Sequence, residues 1–144
     1  MENCPFCKVI SGKYRASFSY RDDTLVAFLD IHPVNEGHML IVPVKHVECI
    51  SQLDQETAGA MFRLATRIGK AVYQSGLPCD GINFMLSDGK VAGQEVPHCH
   101  LHVAPRLAGD SLIIKHDYGQ WEEIYRPRFD EIADRISQAL SRVS

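Results

Sequence analysis

Polar and apolar residues alternate at every second position in residues 97–106, PHCHLHVAPR. This period is typical of a half-buried β-strand, whose side chains point to opposite faces in turn. Histidines occupy one set of alternate positions: His98, His100 and His102. The other set is apolar and would face a hydrophobic core: Cys99, Leu101 and Val103. The pattern therefore predicts three imidazoles on one face of a strand, about 6.6 Å apart at a rise of about 3.3 Å per residue.

Three further stretches are rich in strand-forming residues, namely residues 24–31, 38–44 and 81–86. The first two are joined by a short loop and predict an antiparallel hairpin. Pro43 lacks a backbone N–H, so it indicates that the second strand ends there or lies at a sheet edge.

Helical periodicity is clearest over residues 54–75, where Asp54 is the expected N-cap and Gly76 begins a stop signal. An apolar stripe runs along this helix: Ala58, Met61, Ala65, Ile68 and Val72. The stripe is compatible with packing against a sheet or with contact to a second subunit. Residues 129–140 predict a closing amphipathic helix with Phe129, Ile132, Ile136 and Leu140 on one side.

Strands, a long helix, more strands and a final helix predict an α+β fold with a mainly antiparallel sheet. The 144 residues contain no repeat or linker and are expected to form one domain, residues 1–144.

Composition narrows the choice of function classes. The net charge of −3 argues against the basic surface that nucleic-acid-binding domains usually carry. No apolar run approaches the roughly 20 residues that cross a bilayer. The first ten residues lack the features of a signal peptide. Five cysteines, an odd number, fit a reducing compartment, so we expect a cytoplasmic protein without membrane or nucleic-acid partners.

The alternating histidines allow two kinds of chemistry. Three imidazoles can hold a catalytic zinc ion with one open position. Alternatively, a neutral imidazole is a nucleophile near pH 7, and its conjugate acid donates a proton. Three neighbouring rings cannot all be charged at low cost, so at least one should be neutral, which favours a nucleophile.

The pair Cys4 and Cys7 forms a C-x-x-C motif that also has two interpretations. A redox dithiol usually begins a helix in a βαβ setting, whereas this pair lies at the extreme N-terminus. A structural zinc site needs two further ligands, which histidines can provide.

Two stretches, GHMLIVPVKH and GQEVPHCHLHVAPR, resemble the histidine triad superfamily with its signature His-φ-His-φ-His-φ-φ, where φ is apolar. FLDIHPVNEGH, residues 28–38, resembles the family's ribose-binding hairpin. The resemblance covers residues 4–110 and implies a histidine-triad-like α+β fold, with residues 111–144 as a C-terminal extension. Residues 88–110 most resemble the fragile-histidine-triad dinucleoside polyphosphate hydrolases, whereas CPFC is more typical of small bacterial, zinc-containing members.

The resemblance implies that His100 attacks the α-phosphorus of a nucleotide and forms a nucleotidyl-histidine intermediate that water then hydrolyses. His102 corresponds to the histidine that handles charge and proton at the leaving group. His38 corresponds to the histidine that bonds and orients the nucleophile. His98 belongs either to the hydrogen-bonded set behind the nucleophile or to a metal site.

In members that carry C-x-x-C, including relatives of galactose-1-phosphate uridylyltransferase, the first motif histidine is a zinc ligand. All four corresponding ligands are present in this chain: Cys4, Cys7, His46 and His98. The resemblance therefore implies a structural zinc ion that anchors the N-terminus to the histidine strand.

For the nucleotide, Asp30 corresponds to the carboxylate that accepts both ribose hydroxyls, and Ile31 and Phe28 would line the base pocket. Gly93 and Gln94 resemble part of the phosphate-binding loop. Two positions depart from the family pattern: Ser87 replaces a longer Asn or Gln that touches the α-phosphate, and Glu95 replaces Ser or Thr.

The function implied is hydrolysis of adenosine-containing nucleotides, either a dinucleoside polyphosphate or an adenosine phosphoramidate. The alternatives are a nucleotide-binding regulatory module with incidental catalysis and, less favoured because His102 stands where that branch has glutamine, a nucleotidyltransferase. The family further implies a homodimer with the helix of residues 54–75 at or near the interface.

Overall fold

The strand-forming segments assemble into one five-stranded antiparallel sheet in a computed structural model, which describes residues 3–112, 131–132 and 134–139. The order across the sheet is β1-β2-β3-β5-β4. The strands are β1 (Phe18–Arg21), β2 (Leu25–Leu29), β3 (Met39–Pro43), β4 (Gly81–Met85) and β5 (Leu101–Arg106). Together with two helices, α1 (Pro5–Ile10) and α2 (Gln55–Gln74), this sheet forms an α+β fold, which confirms the predicted class.

The predicted hairpin is confirmed, because β2 and β3 pair antiparallel with Val26 opposite Val42. β3 is a central strand that ends at Pro43, so the proline terminates the strand and does not mark a sheet edge. β1 was not predicted, because its four residues are mostly exposed and carry no buried alternation.

The alternation around residue 100 is confirmed, although the strand itself is shorter than predicted. β5 begins at Leu101, so two of the three histidines precede it. The reason is local hydrogen bonding, since the N–H of His98 bonds the carbonyl of Val96 and the N–H of Cys99 bonds the carbonyl of Val47. Cys99, Leu101 and Val103 nevertheless belong to the core beneath α2, as the pattern predicts.

Helix α2 begins after Asp54, whose side chain accepts a hydrogen bond of 2.7 Å from the N–H of Thr57. Most of its predicted stripe is buried against the sheet: Met61, Ala65, Ile68 and Val72. Of the two interpretations of this stripe, packing against the sheet is therefore confirmed.

Helix α1 was missed because it has only six residues and follows a cysteine at its N-cap position. The sulfur of Cys4 accepts the N–H of Cys7, while Phe6 and Val9 are buried in a second apolar cluster. This cluster includes Phe28 and covers the face of the sheet opposite α2. The histidine face of residues 98–102 thus lies on the α1 side.

The chain divides into two compact units, residues 1–112 and 113–144. In the second unit, residues 131–132 and 134–139 are helical, whereas Phe129 and Leu140 of the predicted helix lie outside the described residues. The single-domain organisation stays a prediction. No helix within the described part of the chain has the length and apolar character needed to span a bilayer.

Candidate active site and metal centre

His100 is buried, and a backbone carbonyl fixes the state of its ring. Its Nδ1 lies 2.7 Å from the carbonyl oxygen of His98. Because a carbonyl oxygen only accepts hydrogen bonds, Nδ1 must carry the proton. In the neutral ring the lone pair then lies on Nε2, which is the form required of a nucleophile.

An aromatic ring from α1 forms the wall behind His100. The centroid of Phe6 lies 5.1 Å from that of His100 and 6.0 Å from that of His98, both edge-on. Phe28 packs behind Phe6 at 5.6 Å and is only 3% exposed. Phe28 therefore belongs to the core, and its contact with a base stays a prediction. Sequence reasoning missed Phe6, although its place inside C-x-x-C was the available signal.

His38 and His102 form a hydrogen-bonded pair, with His38 Nε2 3.0 Å from His102 Nδ1. The N–H of Val34 donates to His38 Nδ1 at 3.1 Å. Since Nδ1 accepts, the neutral His38 ring must carry its proton on Nε2 and donate it to His102. His102 in turn carries its proton on its own Nε2. The backbone of Val34 thereby sets the tautomer of both rings.

This geometry corrects the role that the resemblance implies for His38. His38 bonds His102, whereas the proton of His100 is held by the carbonyl of His98. The rings of His100 and His102 still adjoin each other, with centroids 4.9 Å apart. The orienting bond to His100 therefore comes from its own strand, and His38 orients the third histidine.

Burial keeps the histidine pair uncharged. Burial, and after it the neighbouring rings of His100 and His38, lower the pKa of His102 to about 4. Burial also lowers the pKa of His38, although the carboxylate of Asp30 opposes this effect. Near neutral pH both rings are thus neutral donors and acceptors.

Asp30 lies beside this pair and is half-buried. One carboxylate oxygen accepts the N–H of His32 at 2.9 Å, and the other is 3.8 Å from His38 Nε2. Ile31, the next residue, is 81% exposed. Ile31 is therefore open to solvent, whereas the Asp30 side chain is only partly so.

Asp30, His38 and His102 bring three potential ligand atoms within 4.8 Å of one another. A neutral imidazole has one nitrogen lone pair available for bonding, and in His38 that lone pair lies on Nδ1, where it accepts the N–H of Val34. His38 Nε2 therefore has no lone pair to offer a metal. Binding would require loss of the second ring proton. The hydrogen bonding thus favours a hydrogen-bonded pair of neutral histidines over a metal site.

The second group of ligand atoms consists of Cys4, Cys7, His46 and His98, again within 4.8 Å of one another. The N–N distance between the two histidines is 3.2 Å, and three S–N distances are 3.3, 3.4 and 3.7 Å. Tetrahedral zinc with bonds of about 2.0 Å to N and 2.3 Å to S has edges of about 3.3 and 3.6 Å. The four atoms therefore stand at the spacing of a zinc coordination shell.

Protonation also suits a metal at this group. His98 Nε2 donates to the carbonyl oxygen of Pro43 at 2.9 Å, which leaves the Nδ1 lone pair directed at the two cysteines and His46. Burial, and then the neighbouring Cys4, raise the pKa of the Cys7 thiol. Such thiols ionise when a divalent cation binds between them. Of the two roles expected of His98, its side chain fits the metal ligand.

The loop of residues 87–97 contains the remaining predicted residues. Gly93 has φ +91° and lies beside Ser87, because a Cβ added to Gly93 would come within 3.8 Å of the Ser87 Oγ. The Gln94 side chain bonds three backbone groups, the N–H of Gly89 and the carbonyls of Glu48 and Val96. Its side chain therefore braces the loop, and the part that Gly93 and Gln94 play in phosphate binding stays a prediction.

Beside this loop is a cavity of about 780 Å³, lined by Glu48, Cys49, Gly89, Lys90, Gly93, Gln94, Glu95 and Pro97. Glu95 is exposed. The cavity is large enough for a nucleotide-sized group, because small-molecule sites typically have about 300–1,000 Å³.

The depressed pKa of His102 predicts a pH dependence of stability. The unfolded chain takes up this proton near the ordinary pKa of about 6.5, whereas the folded chain does so only near 4. Between these values the unfolded state binds more protons, so the free energy of unfolding should fall as pH falls from about 6.5 to 4.

Urea titrations of the wild type and of His102→Gln across this pH range measure the effect. The variant should have the shallower pH dependence. NMR should find the ring of His102 uncharged at about pH 5.5. A His102 that titrates near 6.5 would contradict the account.

Comparison with known proteins identifies the family and the fold of the chain. The family model described as the HIT domain matches residues 11–109. An uncharacterised HIT-like protein of Methanocaldococcus jannaschii is 35% identical over 133 residues, which cover 92% of this chain and 98% of that protein. A HIT family protein of Bacillus anthracis has a TM-score of 0.87 at 34% identity, covering 96% of this chain and 97% of its own.

A third comparison is with a solved structure that is described as zinc-bound. The crystal structure of a zinc-bound histidine triad family protein from Mycobacterium smegmatis has a TM-score of 0.73 at 35% identity, covering 93% of this chain and 98% of its own. The predicted superfamily is confirmed by these matches: the chain belongs to the histidine triad, or HIT, family.

Proposed function

We propose that this protein is a nucleotide hydrolase that acts on the α-phosphate of adenosine-containing nucleotides through a nucleotidyl-His100 intermediate. The observation that carries the proposal is the bond from His100 Nδ1 to the His98 carbonyl, which leaves the Nε2 lone pair free for attack. Family membership supports a nucleotide as the ligand.

In the first step His100 Nε2 attacks the α-phosphorus, and the bond from phosphorus to the leaving group breaks with its electron pair on the leaving group. A phosphate group leaves as the anion, whereas the nitrogen of a phosphoramidate takes up a proton from solvent as it leaves. The ring becomes a cation whose Nδ1–H still donates to the carbonyl of His98, and this bond stabilises the charge. Water then attacks the phosphorus, the P–N bond breaks, and neutral His100 is regenerated with release of a proton.

His102 contributes a neutral N–H donor next to the nucleophile, since its ring adjoins that of His100. His38 fixes this donor, because its Nε2–H bonds His102 Nδ1. A donor placed beside the reacting phosphate stabilises charge that develops on its oxygens. We assign the roles of nucleophile to His100, hydrogen-bond donor to His102 and positioning residue to His38.

Nucleoside recognition is assigned to the residues next to the histidine pair. The ionised carboxylate of Asp30 can accept two ribose hydroxyls, and exposed Ile31 offers an apolar surface for a base. The loop that contains Ser87 and Gly93 would approach the phosphates. Dinucleoside polyphosphates and adenosine phosphoramidates are the proposed substrates.

We further propose that Cys4, Cys7, His46 and His98 hold a structural zinc ion. The tetrahedral spacing of their ligand atoms supports this assignment. The ion would tie α1 to the histidine segment without contacting the substrate. None of the five cysteines forms a disulfide, which suits a reducing, cytoplasmic environment.

A homodimer is part of the proposal. Helix α2 exposes Phe62 and Tyr73, and the edge strand β4 exposes Phe84, by 47%, 56% and 43% respectively. Exposed aromatic side chains near an open strand edge are typical of protein interfaces.

Substitution of the nucleophile tests the proposed reaction. His100→Asn should lower AMP release from diadenosine polyphosphate and from adenosine phosphoramidate by roughly three orders of magnitude or more. Nucleotide affinity should change by less than about threefold, because the ring acts in the chemical step. The control is Asp23→Asn, an exposed residue in the turn between β1 and β2, at the opposite end of β2 from Asp30.

Retained turnover in His100→Asn would contradict the proposed mechanism. Tight nucleotide binding without turnover by the wild type would instead support the regulatory module. The substrate that turns over faster identifies the branch of the family.

Metal analysis tests the zinc proposal. Purified wild-type protein should contain about one zinc per chain, and Cys7→Ser should lose most of it, because three ligands bind zinc more weakly than four. Cys79→Ser is the control, since Cys79 Sγ bonds the carbonyl of Gly81, away from the metal group. A Cys7→Ser variant with undiminished zinc would contradict the assignment.

A further inference from the structure

A charged cluster outside the proposed catalytic residues lies at the end of β5. The carboxylate of Asp110 accepts hydrogen bonds from the Arg106 guanidinium, including one of 2.7 Å from Nε, and from the N–H of Leu107 at 3.1 Å. The Asp110 side chain is only 6% exposed. The hydrogen bond from Arg106 holds the pKa of Asp110 well below its usual range.

Asn35 connects this cluster to the turn that precedes His38. Its Nδ2 donates to the Asp110 carboxylate at 2.8 Å and to the carbonyl of Pro105 at 2.9 Å. Both hydrogens of one amide group are thereby used to join distant parts of the sequence. The backbone carbonyl of Asn35 accepts the backbone N–H of His38 at 3.2 Å.

The amide of Asn35 acts where β3 no longer pairs with β5, while on the other side the N–H of Asp30, the residue after β2, still bonds the carbonyl of His38 at 2.9 Å. Backbone pairing between β3 and β5 ends with Met39 opposite Val103. Beyond that pair, the described contacts from the turn to β5 are side-chain bonds: His38 to His102, and Asn35 to Pro105. The turn also contains Val34, whose N–H bonds His38 Nδ1.

We propose that Asn35 and Asp110 are positioning residues that hold the N–H of Val34 against His38 Nδ1 and thereby fix the tautomers of His38 and His102. If the turn shifts, Nδ1 loses its donor and the proton of His38 is free to occupy either nitrogen. With the proton on Nδ1, His38 Nε2 becomes an acceptor, and the donor and acceptor atoms of His102 are exchanged. The Nε2–H of His102 is then lost from the catalytic side.

The catalytic consequence rests on the proposed function, whereas the tautomers are a property of the folded protein alone. They can be observed by ¹⁵N NMR of the imidazole nitrogens in the absence of any substrate. The two readouts therefore separate failure of this inference from failure of the proposed reaction.

The experiment compares Asn35→Ala and Asp110→Asn with the matched control Asp80→Asn. The Asp80 carboxylate accepts the N–H of Ala108 at 2.9 Å, and Ala108 lies in the same loop as Asp110. Among the described residues, Asp80 has no bond to the turn that precedes His38. Wild type and control should carry the His38 proton on Nε2 alone. Asn35→Ala should show a mixture of both tautomers, and Asp110→Asn a smaller change in the same direction.

The second readout is kinetic. Asn35→Ala should lower kcat by about tenfold or more, because a wrong tautomer removes the correctly placed donor. Nucleotide affinity should stay within about threefold, since the variant leaves Asp30 and the phosphate loop in place. The pKa of His38 should rise in this variant, because a donor to Nδ1 favours the neutral ring. The titratable groups that face His38, Asp30 and His102, are unchanged.

A single Nε2–H tautomer in folded Asn35→Ala would overturn the inference, as would the same tautomer mixture in Asp80→Asn. If Asp110→Asn does not fold, Asn35→Ala decides the question alone. If the wild type shows no turnover, the NMR result still confirms or overturns the positioning role.

Discussion

The site depends on the way in which one buried residue, His98, uses its two ring nitrogens and its backbone carbonyl. Its Nε2 donates to the Pro43 carbonyl, its Nδ1 faces the cysteines, and its own carbonyl accepts the proton of His100. A buried polar group without a partner costs about 1–3 kcal/mol. His98 must therefore adopt the one orientation that satisfies all three groups at once, so that a change in one bond disturbs the others. The residue that ties α1 to the sheet is thus also the residue that orients the proposed nucleophile.

The two other histidines depend on a different part of the chain. His102 is oriented by His38, and His38 by the N–H of Val34 in the turn before β3. The proposed nucleophile and its neighbouring donor are consequently held by separate supports, the C-x-x-C helix and the turn after β2. Both supports fix a proton through a backbone group, which is more rigid than a side chain and does not titrate.

The sequence predicted the α+β class, the hairpin, the long helix and the shared face of the histidines, because these follow from periodicity and strong end signals. Helix α1 and strand β1 are too short to carry a period. Single-residue partners were also beyond prediction: that His38 bonds His102, or that Gln94 braces its loop, depends on ring orientation and backbone carbonyls. The metal group was predictable only through resemblance, since 94 residues separate Cys4 from His98.

The most direct test of the central claim is to trap the covalent intermediate. Wild-type protein would be mixed with substrate, quenched in base, where a phosphorus–nitrogen bond to histidine survives, and digested for mass spectrometry. The account predicts one nucleotidyl group on the peptide that contains residues 97–106, located on His100. A nucleotidyl group on any other residue, or turnover without a trapped intermediate at any reaction time, would contradict it.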